Sequence, residues 1–264
     1  MSLPLAATFL ASVLAFTGIW LIQVRLKDAG LVDYYWGPGF LVIALVHGWL
    51  GGFTVATATL TLLVAFWSMR LSWHLVVRHQ KSSAEDARYA AMRSAGGTNF
   101  WWKSLFTVFL LQAVLQWIIA LPLHAAFLHL QTVSVFNPLF IFGLLVFLAG
   151  FAFETIADRQ LAHFKQESAL PGRLMTSGLW ALSRHPNYLG EMILWFGLGV
   201  CVFAMNGSAL ALAGPVILAF IIVAVSIPLT EDHLSATRPA FEAYAARTPM
   251  LLPRLAALKS FVGA

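Results

Sequence analysis

The chain has 264 residues, of which 60% are hydrophobic and only 10% are charged. A mean hydropathy of +0.81 is too high for a soluble domain of this length and predicts an all-helical integral membrane protein. The net charge of +5 does not require nucleic acid as a partner, because Lys and Arg in cytoplasmic loops produce the same excess. Cys201 is the one cysteine, which excludes an internal disulfide and a site built from several thiolates.

Hydropathy predicts about seven transmembrane helices, each long enough to cross about 30 Å of hydrocarbon. Their ranges are 2–24, 36–52, 53–77, 104–125, 136–157, 188–206 and 209–229. Gly51-Gly52 separates the second and third spans, and Asn206-Gly207-Ser208 separates the last two, so both pairs are predicted to be tight helical hairpins. The polar stretch 81–98 is typical of a short helix on the cytoplasmic surface.

The sixteen Lys and Arg residues lie only at or beyond the ends of the first, third, fifth and seventh spans. By the positive-inside rule this face is cytoplasmic, which places the N-terminus outside and the C-terminus in the cytoplasm. We expect a single membrane domain in a bacterial inner membrane, in contact with membrane lipids. No nucleic acid and no protein partner are expected.

The most polar stretch beside a span is 183–191, Ser-Arg-His-Pro-Asn-Tyr-Leu-Gly-Glu, directly before the sixth span. Ionisable groups at a membrane entrance are costly and therefore indicate function. The loop 158–187 adds further cations and carboxylates, a combination that can bind the phosphates and ribose hydroxyls of a nucleotide. The sequence has no Gly-x-Gly-x-x-Gly or Gly-Lys-Ser/Thr loop, so a Rossmann or Walker site is excluded.

The C-terminal part contributes a second polar group, Glu231-Asp232-His233. Phe241 and Tyr244 follow at helical spacing, and with 251–252 they predict an apolar stripe on the membrane surface. Such a segment would either anchor the C-terminus or close the polar side of the site as a lid.

The stretch 187–191, the downstream His233 and the segment from Tyr244 to Pro253 resemble the C-terminal part of the steroid 5α-reductases, especially a bacterial branch of uncharacterised membrane reductases. The resemblance covers residues 150–255 well and the N-terminal half more loosely. It implies NADPH bound between the cytoplasmic ends of seven helices and reduction of an activated C=C bond in a lipophilic, possibly steroid-like substrate. On this basis 1–130 would form the substrate side and 131–264 the cofactor-binding half.

The resemblance also implies roles for individual residues. Asn187 and Glu191 match positions that hold the nicotinamide-ribose end of the cofactor. Lys165 stands in place of an arginine and loses its bidentate fork. From charge alone, Arg88 or Arg93 in the polar stretch 81–98 is a candidate contact for the additional phosphate of NADPH, and a solvated face that sets the topology is the alternative. The full set of predicted cofactor-binding residues is Arg70, Arg88, Arg93, Asp158, Lys165, Arg173, Arg184, His185, Asn187, Tyr188, Glu191, His233 and Tyr244.

The substrate side departs from the steroid enzymes, because Trp67 stands where they carry a tyrosine that polarises the substrate carbonyl. An indole N–H cannot supply a proton, whereas hydride addition to an enone puts negative charge on the carbonyl oxygen. Asp33, Tyr34 and Tyr35 are the predicted catalytic replacements, with Asp33 kept protonated by apolar surroundings. The same stretch is also typical of a helix N-cap with interfacial aromatic residues.

Two other function classes remain open. The pattern Arg-His-Pro-x-Tyr-x-Gly at 184–190, followed by Glu231-Asp232, is also similar to isoprenylcysteine and phospholipid methyltransferases, which bind S-adenosylmethionine. Asn187 and Glu191 favour the reductase, and the acidic pair favours methyl transfer. A transporter or lipid-binding scaffold is a third alternative, although the span centres carry no charged residue. No metal site is predicted, and His124 and His129 are interpreted as interfacial histidines.

Overall fold

The computed structural model describes residues 2–82, 85–128, 134–167 and 172–253. These residues form helices and connecting turns, with no β-strand among them. The helices are α1 Leu3–Leu26, α2 Leu31–Gly51, α3 Val55–Ser82, α4 Ala87–Ile119, α5 Leu121–Leu128, α6 Pro138–Glu167, α7 Leu179–Leu182, α8 Pro186–Asn206, α9 Leu210–Thr237 and α10 Phe241–Ala245. Short π-helical turns interrupt α4 at Leu105–Leu110 and α9 at Ile222–Ser226.

Within the described part of the chain, six helices are long and apolar enough to cross a membrane, namely α1, α3, α4, α6, α8 and α9. The second predicted span, 36–52, corresponds to α2, a helix of 21 residues that does not reach this hydropathy. Polar and aromatic residues in its first half, including Tyr34 and Pro38, lower its mean hydropathy. Seven spans and the orientation of the termini therefore stay predictions.

The predicted fourth span has different limits in the structure. The helical run α4 begins at Ala87, and its first part, Ala87–Gly96, ends where Gly97 adopts φ +54°. This first part is the short helix predicted within 81–98. The whole run ends before Ala120, whose backbone leaves the helical conformation, and α5 follows. Asp86 caps the start of α4 by accepting a hydrogen bond from the Arg88 backbone N–H, which explains why the helix begins there.

Both predicted hairpin breaks are confirmed. Gly52 follows α2 with φ +84°, and Gly207 follows α8 with φ +65°. Glycine adopts a positive φ without a steric penalty, so these residues end their helices at the positions that the sequence indicates.

The chain divides into two compact units. One unit comprises Met1–Phe140 and Val202–Gly214, and the other comprises Ile141–Cys201 and Pro215–Ala264. The first unit has an apolar cluster around Phe16, Val32 and Phe109. Hydrogen bonds between helices reinforce it: Gln23 Nε2 donates to Ser104 Oγ at 3.1 Å and Trp117 Nε1 donates to Thr8 Oγ1 at 3.2 Å.

In the second unit, α6 and α8 cross at glycines. A Cβ on Gly190 would lie 2.5 Å from the Glu154 backbone nitrogen, and one on Gly197 would lie 2.4 Å from the Phe147 nitrogen. Small residues allow helix backbones to approach this closely inside a membrane. The crossing fixes the first turns of α8, which carry Asn187 and Glu191, against α6.

Candidate functional site

The turn before α8 is anchored to α6 through two hydrogen bonds. The Leu179 N–H donates to Gln160 Oε1 at 3.0 Å, and Trp180 Nε1 donates to the Ala157 carbonyl at 3.1 Å. Gly178 has φ +60°, and a Cβ there would lie 2.7 Å from the Gln160 side chain. Glycine is therefore required for this turn, which delivers 183–185 to the start of α8.

Arg184 pairs with Glu231 of α9. Its Nε and Nη2 donate to the two carboxylate oxygens at 2.8 and 3.1 Å, and its Nη1 donates to the carbonyls of Ala245 and Thr248 at 3.0 and 3.2 Å. The two charged side chains are only 15% and 20% exposed. This bidentate, partly buried ion pair is the strong form of such contacts.

His185 is a second partner of the same carboxylate. Its Nε2 lies 2.7 Å from Glu231 Oε1, its side chain is 3% exposed, and its ring stacks on Tyr188 with centroids 5.6 Å apart. Burial lowers the pKa of His185, and the hydrogen bond with Glu231 only partly offsets this. The neutral imidazole then donates from Nε2 to the carboxylate, which leaves Nδ1 as a hydrogen-bond acceptor.

The C-terminal segment 241–250 packs on the same turn. Tyr244 OH donates to the Trp180 carbonyl at 2.5 Å, the Arg184 N–H donates to the Pro249 carbonyl at 2.9 Å, and Ser183 Oγ donates to the Met250 carbonyl at 3.3 Å. Phe241 and Tyr244 are 4% and 3% exposed. The predicted stripe on the membrane surface is therefore wrong for these two aromatic residues, which are buried within the protein.

The other predicted cofactor residues of this unit differ in exposure. Asp158 is buried, whereas Asn187, Tyr188 and Glu191 are half-buried. Lys165, Arg173 and His233 are exposed, and the Arg173 guanidinium lies 5.6 Å from the centre of the Phe164 ring.

Sequence reasoning missed Glu154, which is 3% exposed and lies one helical turn before Asp158. The spacing of four residues, which puts two carboxylates on one face of a helix, is the signal that indicates it. It also missed Glu231 as a partner of Arg184, because nothing local to the motif identifies a residue 47 positions away.

In the first unit, Asp33 lies in the first turn of α2 and accepts hydrogen bonds from two residues of α4. Arg88 Nη2 donates at 2.8 Å and Tyr89 OH donates at 2.6 Å. Burial raises the pKa of Asp33, and Arg88 and Tyr89 partly offset this. The raised pKa is in the direction of the protonated acid that we expected, and the charge state of Asp33 stays a prediction. It is not the N-cap of α2 either, since that position is Gly30.

The arginines predicted for the additional phosphate of NADPH also have carboxylate partners. Arg88 Nε donates to Asp86 at 2.9 Å in addition to its bond with Asp33. Arg93 forms a bidentate pair with Glu85 at 2.8 and 2.9 Å, and Glu85 also accepts the Ala29 N–H at 2.7 Å. Arg70, the remaining predicted cofactor-binding arginine of this unit, is half-buried on α3.

The two predicted catalytic tyrosines have different surroundings. Tyr34 lines a small open recess together with Gly30, Asp33, Leu75, Arg78, His79 and Asp86. Its hydroxyl is buried and has no hydrogen-bond partner among the described residues. Tyr35 instead packs edge-on against Phe16 at 5.3 Å, beside the apolar cluster.

His124 is buried and not interfacial as predicted. Its Nδ1 lies 2.8 Å from Nε2 of His47, and its Nε2 lies 3.0 Å from the Trp117 carbonyl. The other predicted interfacial histidine, His129, lies outside the described residues. No group of three or more potential metal ligands occurs in the part of the chain that the structure describes.

A helical chain with this many apolar helices of membrane-spanning length is an integral membrane protein. The chain belongs to the family described as "Protein of unknown function (DUF1295)", whose model matches residues 19–248.

The relatives connect the chain with three kinds of protein. The nickel-cobalt-cadmium resistance protein NccN of Alcaligenes xylosoxydans xylosoxydans is 39% identical over 88 residues, which are 33% of this chain and 39% of NccN. An uncharacterized protein of Schizosaccharomyces pombe is 24% identical over 288 residues, covering 96% of this chain and 80% of that protein. Steroid 5-alpha-reductase DET2 of Gossypium hirsutum is 34% identical over 68 residues, 26% of each chain.

The chain thus covers about two fifths of NccN and about a quarter of DET2. The similarity to DET2 agrees with the resemblance found in the sequence, at the level of a distant relationship. No solved structure matches the chain.

Proposed function

We propose that this protein is an NADPH-dependent membrane reductase that transfers a hydride to an activated C=C bond of a lipophilic substrate. The observation that carries the proposal is the 34% identity with steroid 5-alpha-reductase DET2 over 68 residues. The helical membrane architecture agrees with a substrate that enters from the bilayer.

The proposed cofactor site lies in the second unit, at the start of α8. Asn187 and Glu191 are half-buried there, and the glycine crossing places this helix against the part of α6 that carries buried Glu154 and Asp158. An amide offers both donors and acceptors, and a carboxylate accepts hydrogen bonds from hydroxyls and from a carboxamide. These groups fit the nicotinamide-ribose end of NADPH, and the exposed cations Lys165 and Arg173 suit its phosphates.

NADPH held by Asn187 and Glu191 would supply a hydride to the β-carbon of the enone. The electron pair of the C=C bond would then move toward the carbonyl oxygen, and water would supply the proton that the α-carbon gains. A hydrogen-bond donor at the developing oxyanion lowers the barrier. We propose Tyr34 for this role, since its hydroxyl is buried at the recess without a partner among the described residues.

Ligand-induced stabilisation of the purified protein tests the proposal. We expect NADPH to raise the Tm in a concentration-dependent manner, and stabilisation by S-adenosylmethionine alone would overturn the reductase assignment. Glu191→Gln should weaken NADPH binding, whereas the matched variant Glu167→Gln, at a side chain that is 68% exposed, should not. Unchanged NADPH affinity in Glu191→Gln would remove that residue from the cofactor site.

One observation favours a methyltransferase as the second candidate. Glu231, the first residue of the acidic pair, is bonded to both Arg184 and His185 of the Arg-His-Pro motif. The two parts of the pattern that resembles the methyltransferases are thus joined in one cluster. The same ligand comparison decides between the candidates, because a methyltransferase requires S-adenosylmethionine and a reductase requires NADPH.

A further inference from the structure

We infer that Arg184 and Glu231 form a latch that holds the C-terminal segment 241–250 against the turn 183–185. The latch acts on cofactor binding through this segment, and Arg184 does not contact a cofactor phosphate. The second part of this inference rests on the proposed function. Arg184 and Glu231 are then positioning residues.

Most N–H donors of the Arg184 guanidinium are hydrogen-bonded to groups within the protein. Of its five N–H donors, one on Nε and one on Nη2 bond to Glu231, and those on Nη1 bond to the carbonyls of Ala245 and Thr248. Arginine normally binds a phosphate through two parallel N–H groups. A single remaining N–H cannot provide that fork unless the ion pair with Glu231 first breaks.

The same contacts join three separate parts of the second unit. Arg184 belongs to the turn before α8, Glu231 belongs to α9, and the two accepting carbonyls belong to the C-terminal segment. Two further hydrogen bonds join the same turn to the C-terminal segment: the Arg184 N–H donates to the Pro249 carbonyl, and Ser183 Oγ donates to the Met250 carbonyl. Loss of Arg184 or Glu231 therefore removes the ion pair that connects these three parts of the unit.

Lysine cannot replace Arg184 in this role. An ammonium group is a compact charge without the planar fork, so it can approach Glu231 but cannot also reach two carbonyls on the opposite side. A direct phosphate contact, by contrast, would keep much of its electrostatic strength with lysine. Arg184→Lys thus separates the two roles.

The C-terminal segment contains a trypsin site that reports whether the segment is detached. Arg247 is exposed and is followed by Thr248, so trypsin can cut this bond once the segment detaches. The Arg238-Pro239 bond resists trypsin. Cleavage of a transiently open segment follows the population of the open form, and loss of charge-assisted hydrogen bonds should raise that population at least about tenfold.

The experiment uses the purified full-length protein and follows both the fragment ending at Arg247 and stabilisation by NADPH. We expect Arg184→Lys, Glu231→Gln and the double variant to be cut at least about tenfold faster than the wild type. The double variant should be cut no faster than the more sensitive single variant, because each single substitution already breaks the same ion pair. Glu242→Gln is the control, because Glu242 lies in the segment but bonds to Ser235.

NADPH stabilisation should fall to a similar extent in Arg184→Lys and Glu231→Gln. If Glu231→Gln keeps wild-type NADPH affinity while an arginine variant loses it, Arg184 acts on the cofactor directly and the inference is wrong. Unchanged cleavage in every variant would also overturn it. If NADPH fails to stabilise even the wild type, the proposed function fails, while the cleavage rates still decide whether the latch exists.

A covalent replacement of the latch provides the strictest test. The hydrogen bond from Arg184 to Pro249 sets the two chain segments side by side, roughly 5 Å apart as in paired strands. A disulfide tolerates Cα separations of about 4.4–6.8 Å, so Ser183→Cys with Met250→Cys can close the segment in the Glu231→Gln background. The native Cys201 is buried and should not interfere. Oxidation should restore NADPH stabilisation and reduction should abolish it, whereas a formed disulfide without restoration would disprove action through the segment.

Discussion

Gly190 and Glu154 are in direct backbone contact between α8 and α6. A Cβ on Gly190 would lie 2.5 Å from the Glu154 nitrogen and 2.7 Å from its Cβ. No side chain fits at that distance without moving a helix. The contact thereby fixes the turn that carries Asn187 and Glu191 relative to a helix with two buried carboxylates.

Gly190→Ala should destabilise the protein and weaken NADPH binding. The added methyl group forces α8 away from α6, and overpacking of this kind costs about 1–3 kcal/mol. Thermal unfolding in detergent, with and without NADPH, measures both effects. Gly18→Ala is the matched control, because a Cβ on Gly18 meets nothing within 4 Å. Equal Tm values for the two variants would contradict a tight crossing.

Tyr34→Phe should lower the rate of NADPH oxidation with a 3-oxo-Δ4 steroid by about 10²–10³-fold, the usual cost of one oxyanion donor. Tyr35→Phe should change the rate little, since the Tyr35 ring packs on Phe16. NADPH binding should be retained in both variants, as measured by Tm. A larger rate loss in Tyr35→Phe than in Tyr34→Phe would show that Tyr34 is not the hydrogen-bond donor.

The helices and their breaks could be predicted because their causes are local. An apolar run of sufficient length predicts a helix, and Gly52 and Gly207 adopt the positive φ that ends one. Asp86 is likewise a local signal for the start of α4. The long-range contacts of its first turn could not be predicted in this way, because Arg88 and Tyr89 bond to Asp33, more than fifty residues earlier in the chain.

The candidate site shows the same division. The motif at 183–191 correctly indicated a polar cluster beside a span, because charge at that depth is conspicuous in sequence. Whether Arg184 meets a phosphate or a carboxylate depends on Glu231, 47 residues away. Similarly, the charge pattern identified Arg93 as a cation but could not indicate that Glu85 pairs with it.

The pairing of Glu85 predicts a contribution to stability that depends on pH. Burial alone would raise the pKa of Glu85, but hydrogen bonds from Arg93 and the Ala29 N–H outweigh it and leave the pKa below the usual 4.5. A carboxyl with a lowered folded-state pKa stabilises the fold above its unfolded pKa, and this contribution disappears as pH falls through the folded value. Stability from Glu85 should thus be complete above about pH 4.5 and decline below it.

Glu85→Gln tests this relationship. The variant should unfold at a lower temperature than the wild type at pH 7, and the difference in Tm should shrink as the pH is lowered below about 4.5. Glu167→Gln, at an exposed residue, should follow the wild-type curve at every pH. A difference between Glu85→Gln and wild type that stays constant with pH would show that the carboxyl charge is not the source.

The buried His47–His124 pair predicts coupled effects of substitution. The Trp117 carbonyl can only accept, so His124 Nε2 carries a proton and its Nδ1 accepts from His47 Nε2. His47→Leu deprives that acceptor of its donor, and His124→Phe leaves the donor of His47 unused, each at a cost of about 1–3 kcal/mol. The double variant removes both polar partners, so it should be more stable than the sum of the single losses predicts. Unfolding free energies from a double-mutant cycle measure this coupling, and strict additivity would contradict a shared hydrogen bond.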